Sequence, residues 1–442
     1  MSIHFKVVPL SNNSRCLLFH PNQYKILNET KEMATTICFG LNEMDVTYEQ
    51  SNMLKEDEIG IPNMIIDYLK LPLGVDYEIS IQKGAITIGP FIGILIAKSH
   101  AKIKGKLKKI KRINEQYPLV RGVIVAFSWQ GINQKNSTIK GYLYNPASEK
   151  WEEGTFPFPT VIVKRMVLSK KRKNFLKNLY GARFFNSGSI DKWKMHQILS
   201  KNEDVLPYLP KTFIYKNPED ILNYLKRYRT IYVKPILGLK GKGIVKIMTG
   251  PNLYCIKYRF KQKNKTIKLS TEKELLNYVE KNFRKNRYII QEGIDSELVK
   301  GRIIDFRIFL VKNQTGQWED VGIIARKGSK GSIVTNLSNG GRVDNVIKLM
   351  SASFKISEEQ VLCILEEMSI ISIKAARVID KYENIFRLGV DIAIDCQQHI
   401  YLLELNHRSP AYKNSFPKVA VTKINNSRLD YAKYLAGFPI NI

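Results

Sequence analysis

Residues 387–406 read RLGVDIAIDCQQHIYLLELN and restrict what this chain can build more than any other stretch. Two apolar runs, LGVDIAID and HIYLLELN, meet at Cys396-Gln397-Gln398-His399, which has the composition of a turn. The runs can pair as a hairpin. Side chains alternate along a strand, so Glu404 and Asn406 share one face, while Leu403 and Leu405 take the other, toward a core. Asp391 lies inside the first run, and pairing brings it toward Glu404 and Asn406. Two carboxylates and an amide oxygen are hard donors suited to Mg²⁺, which keeps waters and is completed by substrate phosphates. An ordinary half-exposed strand face is the competing account of the same three residues.

A second stretch, YVKPILGLKGKGIVKI at 232–247, sets Gly238, Gly241 and Gly243 between two apolar runs. It is not a P-loop, because that motif ends in Gly-Lys-Ser/Thr and opens a helix. Here Ile244-Val245-Lys246-Ile247 alternates like a strand. Lys234, the one charge in IYVKPIL, can reach a nucleotide phosphate, and glycine backbone can approach one closely. A hairpin turn with a snorkelling lysine is the commoner use of such a stretch taken alone. In DFRIFLV, Asp305, Arg307 and Phe309 alternate with Phe306, Ile308 and Leu310. An arginine there could neutralise a transferring phosphoryl group, with Arg326 and Asn336 projecting nearby. An Asp305–Arg307 pair or an arginine–glutamate pair is the structural alternative.

The chain's 442 residues leave room for two or three domains. Apolar runs such as FIGILIA at 91–97 are too short to span a bilayer, and MSIHFKVVPL lacks the apolar core of a signal peptide. The expectation is a cytoplasmic protein. Five scattered cysteines without a CxxC pattern read as thiols in a reducing compartment. Seventy basic against 40 acidic residues give a net charge of +30, which suits nucleic acid, an anionic surface or an acidic substrate. Two segments, 101–112 and 163–177, contain no acid and would make basic helical faces, either merely solvated or binding. The absence of zinc-finger, RNP or KH signatures disfavours nucleic acid.

Three parts are expected along the chain. Residues 1–85 hold short alternating runs broken by Pro, Gly and Asn, a small β-rich module. Residues 86–185 alternate apolar strands with helical stretches, as in a parallel α/β domain. Residues 186–442 read as mixed α+β, largely hairpin-connected. Ser189 is expected to cap one helix there and Asn217 another, and a long helix runs from about 356 to 380.

The ordered set SIDKWKMHQIL, LPKT, YVKPILGLKGKGIVKI, YIIQEGI, DFRIFLV, IIARKGSKGSIVTNLSNGG and LGVDIAIDCQQHIYLLELNHRSP resembles the ATP-grasp superfamily, in its ribosomal-protein-glutamate-ligase and glutathione-synthetase-like branch. With the flanks GPFIGILIA and GARFFNSGSIDKWKMHQIL, the whole chain looks like the endospore coat-associated YheC/YheD type. The resemblance implies an ATP-grasp fold of two α+β subdomains behind a pre-ATP-grasp domain. It implies that Lys192 and Lys234 contact ATP phosphates and that Gly241, Lys242 and Gly243 form a flap over them. Backbone at Gln291, Glu292, Gly293 and Ile294 would pair with adenine, and Glu297 would reach the ribose. Asp391, Glu404 and Asn406 would hold Mg²⁺, or alternatively Mn²⁺, between the β- and γ-phosphates. Arg307 and Arg326 would stabilise phosphoryl transfer and an acyl-phosphate intermediate. The chain departs from the branch in carrying Lys240 and Lys242 in the flap and His407-Arg408-Ser409-Pro410 after Asn406. The expected activity is carboxylate–amine ligation at the cost of ATP, on an acidic peptide or anionic polymer, with spore-coat proteins as partners. A coat-associated interaction protein that binds ATP without turnover is the alternative.

Overall fold

The computed structural model describes residues 4–29, 35–82, 84–110, 113, 115–186, 190–238, 241–251, 253–260, 263–337, 340–407 and 416–438. They fall into two compact units, Met1–Gly188 with Lys312–Gln317 and Asn425–Ile442, and Ser189–Val311 with Trp318–Ile424.

In the first unit, eight short strands between His4 and Gly89 form one mixed sheet. A second, six-stranded sheet is built around Phe91–Ala97, whose every residue is buried. That strand runs parallel to Val123–Asn133 on one side and Val161–Lys164 on the other. A strand covered on both faces needs apolar residues at every position, which is why FIGILIA does not alternate. The parallel arrangement extends to Phe184–Phe185 but stops at Val123–Asn133. Thr138–Asn145 and Lys150–Pro157 continue the sheet as an antiparallel meander. Their connections, 134–137 and 146–149, are far too short for the crossover a parallel pair requires.

The basic segments are also less helical than their composition suggests. Among the described residues of 101–112 the chain makes short turns, 3-10 helix at His100–Lys102 and Lys108–Ile110 and one α-turn at Lys104–Leu107. Within 163–177, Val163 belongs to a buried strand, and the helix is Lys170–Tyr180, capped by Ser169.

The second unit has two sheets. The first is antiparallel throughout, in the order Thr212–Ile214, Tyr288–Glu292, Thr230–Pro235, Val245–Gly250, Leu253–Phe260, Lys263–Leu269. Helices Pro218–Tyr228 and Glu272–Asn282 bury Ile221, Leu225, Leu275 and Val279 against Ile231, Val233, Ile247 and Ile256 on one face of that sheet. Both helices start with a capping box, Asn217 with Asp220 and Thr271 with Glu274, so their orphan N–H groups are satisfied locally. The second sheet runs Arg342–Asp344, Trp318–Lys327, Ile304–Lys312, Arg387–Ile394, Ile400–Asn406. Glu358–Asp380 and Lys192–Leu199 pack on it through Met368, Ile371, Ala375, Met195 and Ile198. The cap of Lys192–Leu199 is Asp191, whose Oδ1 accepts the Lys194 N–H at 2.8 Å. Ser189, expected to cap it, lies two residues too early and outside the described residues.

Candidate functional site

The glycine loop joins antiparallel neighbours, with Val233 opposite Val245. Gly241 and Gly243 both have positive φ, +71° and +74°. A Cβ on Gly243 would stand 2.9 Å from Pro235 Cγ, and one on Gly241 2.5 Å from Asn336 Oδ1. Glycine therefore lets the loop turn back on Pro235 and approach Asn336. Leu239 and Lys240, at the centre of the expected flap, lie outside the described residues.

A cavity of about 570 Å³ lies between the two sheets of the second unit. From the first sheet come Tyr232, Lys234 and Gln291; from the second, Asp305, Arg307, Arg326, Asp391, Glu404 and Asn406. Lys192 enters from the first turn of its helix, and Gly241, Lys242 and Asn336 line the cavity from loops. The structure thus gathers twelve of the fifteen expected site residues around one space: Lys192, Lys234, Gly241, Lys242, Gln291, Glu292, Ile294, Arg307, Arg326, Asp391, Glu404 and Asn406. Gly243, Gly293 and Glu297 do not line it. Gly293 donates its N–H to Thr230 O at 2.9 Å. Glu297 Oε1 accepts the Gly301 N–H at 2.6 Å, which closes a turn.

Charges in the cavity are internally paired. Arg307 and Asp391 are directly opposite on neighbouring strands. Arg307 donates through Nε to Asp391 Oδ1 and through Nη2 to Oδ2, the latter at 2.8 Å. Arg326 makes the same fork to Asp305, at 2.7 and 2.5 Å, and its Nη2 also lies 3.0 Å from Asp391 Oδ1. Asn406 Nδ2 donates to Asp391 Oδ2 at 3.1 Å, and Thr335 Oγ1 to Asp305 Oδ2 at 2.5 Å. All four charged side chains are buried. Burial by itself would raise the pKa of Asp391, but Arg307 and Arg326 outweigh it and hold the carboxyl below its usual range. The arginines are in structural pairs, but not the expected ones: Arg307 takes Asp391 and leaves Asp305 to Arg326, and neither meets a glutamate among the described contacts.

Lys192 Nζ donates to Glu404 Oε1 at 2.5 Å and to Gly238 O at 3.1 Å. Lys234 Nζ donates to Gln291 Oε1 at 2.5 Å. Burial lowers the Lys234 pKa to about 8, against the pull of the Glu404 carboxylate. Gln291 is itself buried and passes the chain of bonds on, its Nε2 donating to Thr212 Oγ1 at 3.0 Å. Its side chain thus orients Lys234, a role distinct from the expected backbone contact. Glu292 Oε1 accepts the Lys211 N–H at 2.7 Å.

The hairpin carries one feature its sequence conceals. Asp391 opposes Glu404 and Ile392 opposes Leu402, so Leu403 is an extra, bulged residue. Leu405 is buried as expected, whereas Leu403 is only half-buried, and both line the cavity. His407 was visible only as a departure from the resemblance. It is buried, lines the cavity, and its Nε2 accepts the Ile190 N–H at 3.2 Å, tying the strand end to the start of the Lys192 helix.

Among the described residues, no three His, Cys, Asp or Glu side chains group as a metal site. Glu404, Asn406 and Asp391 nevertheless share one sheet face and offer hard oxygen donors, a chemistry that fits Mg²⁺. Both Asp391 oxygens are engaged, whereas Glu404 is held through Oε1 by Lys192.

The family model described as YheC/D like ATP-grasp matches residues 181–435. The endospore coat-associated protein YheD of Bacillus subtilis (strain 168) is 27% identical over 408 residues, covering 88% of this chain and 86% of its own length. The endospore coat-associated protein YheC of the same organism is 24% identical over 293 residues, 64% of this chain and 80% of its own. A tetrahydromethanopterin:alpha-L-glutamate ligase of Methanosarcina acetivorans is 30% identical over 156 residues, 35% of this chain and 42% of its own.

Proposed function

Because this chain belongs to the YheC/D-like ATP-grasp family, we propose that it is an ATP- and Mg²⁺-dependent ligase that activates a carboxylate as an acyl phosphate. The carboxylate oxygen attacks the γ-phosphorus and ADP leaves. An amine or related nucleophile then attacks the acyl carbon, and phosphate leaves. One observation carries the reading. Lys192, Lys234, Arg307 and Arg326, four cationic side chains, converge on a single cavity. Two anions must approach each other in such a reaction, so placed cations lower the barrier.

In this reading Lys192 and Lys234 hold the nucleotide phosphates. Lys192 transfers from Glu404 to a phosphate oxygen and frees that carboxylate. Arg307 and Arg326 face the transferring phosphoryl group. Glu404 and Asn406, with Asp391, would hold Mg²⁺ or Mn²⁺, which supplies charge neutralisation when bound. Residues 186–442 would make the ATP-grasp domain, with 1–85 and 86–185 as accessory parts. The acceptor would be an acidic peptide or an anionic envelope polymer. The relatives' names support an association with the spore coat and its proteins. No helix among the described residues is long and apolar enough to cross a membrane.

The test is ADP release from MgATP across a panel of amino acids, peptides and cell-wall fragments. ADP should appear only when a carboxylate and a nucleophile are both supplied. MgATP binding without ADP under any pairing would favour a second reading, a coat-associated interaction protein that binds nucleotide without turnover. The observation on that side is Asp391, both of whose oxygens are already committed.

The Lys234 amine also makes nucleotide affinity depend on pH. Its free-state pKa lies near 8 because burial favours the neutral form. A bound polyanion favours the ammonium, so the complex has the higher pKa. Affinity should be flat below about pH 8 and then weaken by up to about tenfold per pH unit above it. Phosphate ionisation, complete well below that pH, contributes nothing there. Titration calorimetry between pH 7 and 10 checks this, and a flat profile would remove Lys234 from the phosphate site.

A further inference from the structure

From Thr230 to Thr271 the sequence has ten lysines and arginines and no aspartate or glutamate. The structure puts part of that excess on one face of the first sheet of the second unit. Thr212, Gln291, Tyr232, Lys246, Lys257 and Thr266 are successive cross-strand partners spanning all six strands. This row lies on the cavity side. The alternate residues Ile231, Val233, Ile247 and Ile256 form the core beneath the helices on the other side. Lys268, opposite Cys255, belongs to the same face one row away.

Lys246 and Lys257 are therefore directly opposite, a like-charge pair that costs a sheet stability. Among the described residues no carboxylate lies within 4.0 Å of Lys246, Lys257 or Lys268. Asp295 and Glu297 act on Lys246 only through space; burial and then Lys257 lower its pKa. Tyr232 connects this row to the cavity, with Lys234 and Lys246 each 5.6 Å from its ring centre. A locally unfavourable pair, half-buried beside a reaction cavity, is where a function is expected to have overridden stability.

We infer that Lys246 and Lys257, with Lys268 at the outer edge, form a docking row for an acidic polypeptide segment whose side-chain carboxylates lead past Tyr232 toward the cavity. The aromatic residues of these strands argue against nucleic acid. Tyr254 and Tyr258 pack with the core on the opposite face, so the row offers no stacking platform beyond Tyr232. The one arginine of these strands, Arg259, is engaged through Nη1 by Ser329 and Ser332 at 3.2 Å. What remains is a set of lysine point charges at neighbouring strand positions, without the guanidinium forks that favour phosphate. This names a substrate class for the proposed ligase and rests on that reading only for the fate of the carboxylate; docking does not depend on it.

The experiment uses the full chain and a fluorescently labelled oligo-α-glutamate, read by anisotropy without nucleotide. The wild type should bind, with affinity falling as salt rises. Lys257→Glu should weaken binding by about tenfold or more and flatten the salt dependence, while MgATP binding stays within twofold. Lys257→Gln guards against misfolding: it removes the like-charge pair, so it should weaken peptide binding while leaving the melting temperature equal or higher. Peptide binding unchanged in both variants would overturn the inference. So would a single-stranded oligonucleotide of equal charge that binds more tightly than the peptide and is lost in the same variants. Docking intact with no ADP release would sink the ligase reading alone; ADP release on small carboxylates without docking would sink this one alone.

Discussion

Lys234→Met is expected to reduce MgATP affinity by about 10- to 150-fold, the size of one charge-assisted hydrogen bond in a partly dry cavity. The effect should be nearly all binding. Lys234 is already costly to the fold, since burial pushes its pKa down to about 8, and its one hydrogen-bond partner in the described structure is the neutral Gln291. Methionine keeps the length of the stem and removes the charge, so the melting temperature should hold or rise. Gln291 is the residue left short, and it retains Thr212. Calorimetric titration with MgATP, paired with a thermal melt, separates the two quantities. Affinity within about threefold of wild type would mean the nucleotide does not meet this lysine.

Asp391→Ala carries the largest expected loss of stability. The substitution strips Arg307 of its fork and removes one of two carboxylates from Arg326, leaving a buried guanidinium without an anion. Breaking a buried pair from one side costs about 3–5 kcal/mol. For a unit of this size that corresponds to a fall of roughly 6–20 °C in melting temperature. The double replacement Asp391→Leu with Arg307→Met should recover much of the loss, because it removes both desolvated charges together. A single variant that melts within about 2 °C of wild type would show that the network is weaker than its geometry. Lys192, Glu404 and Lys234 lie outside these forks, so the loss should precede any effect on phosphate contacts.

How much of this was readable beforehand depends on the distance along the chain over which each feature is decided. The hairpin of Arg387–Ile394 with Ile400–Asn406 was legible because both runs and their turn are contiguous. The capping boxes at Asn217 and Thr271 are likewise properties of a few adjacent residues. Arg307 could be placed on one face with Asp305 by alternation, and Arg326 only nearby, but neither reading says which carboxylate each arginine meets. Arg307 is 84 positions from Asp391 and Arg326 is 21 from Asp305, and both pairings follow from strand order in the sheet. The bulge at Leu403 escaped because an unbroken apolar alternation carries no mark of an extra residue. The row from Tyr232 to Lys257 left a trace in the acid-free run from 230 to 271, yet that run alone could not separate the cavity face from the core face.

By itself the sequence determined the closing hairpin, the start of the helix capped by Asn217 and the long helix near 358–380, because these follow from periods of a few residues and from local hydrogen bonds. Only the tertiary structure decided the rest. It paired Lys192 with Glu404 and both arginines with Asp391, set Lys246 against Lys257, turned Glu297 into its own turn, and grouped Lys312–Gln317 and Asn425–Ile442 with the first unit. Charges seek their counter-ions through space, and the order of strands in a sheet decides which of them are near.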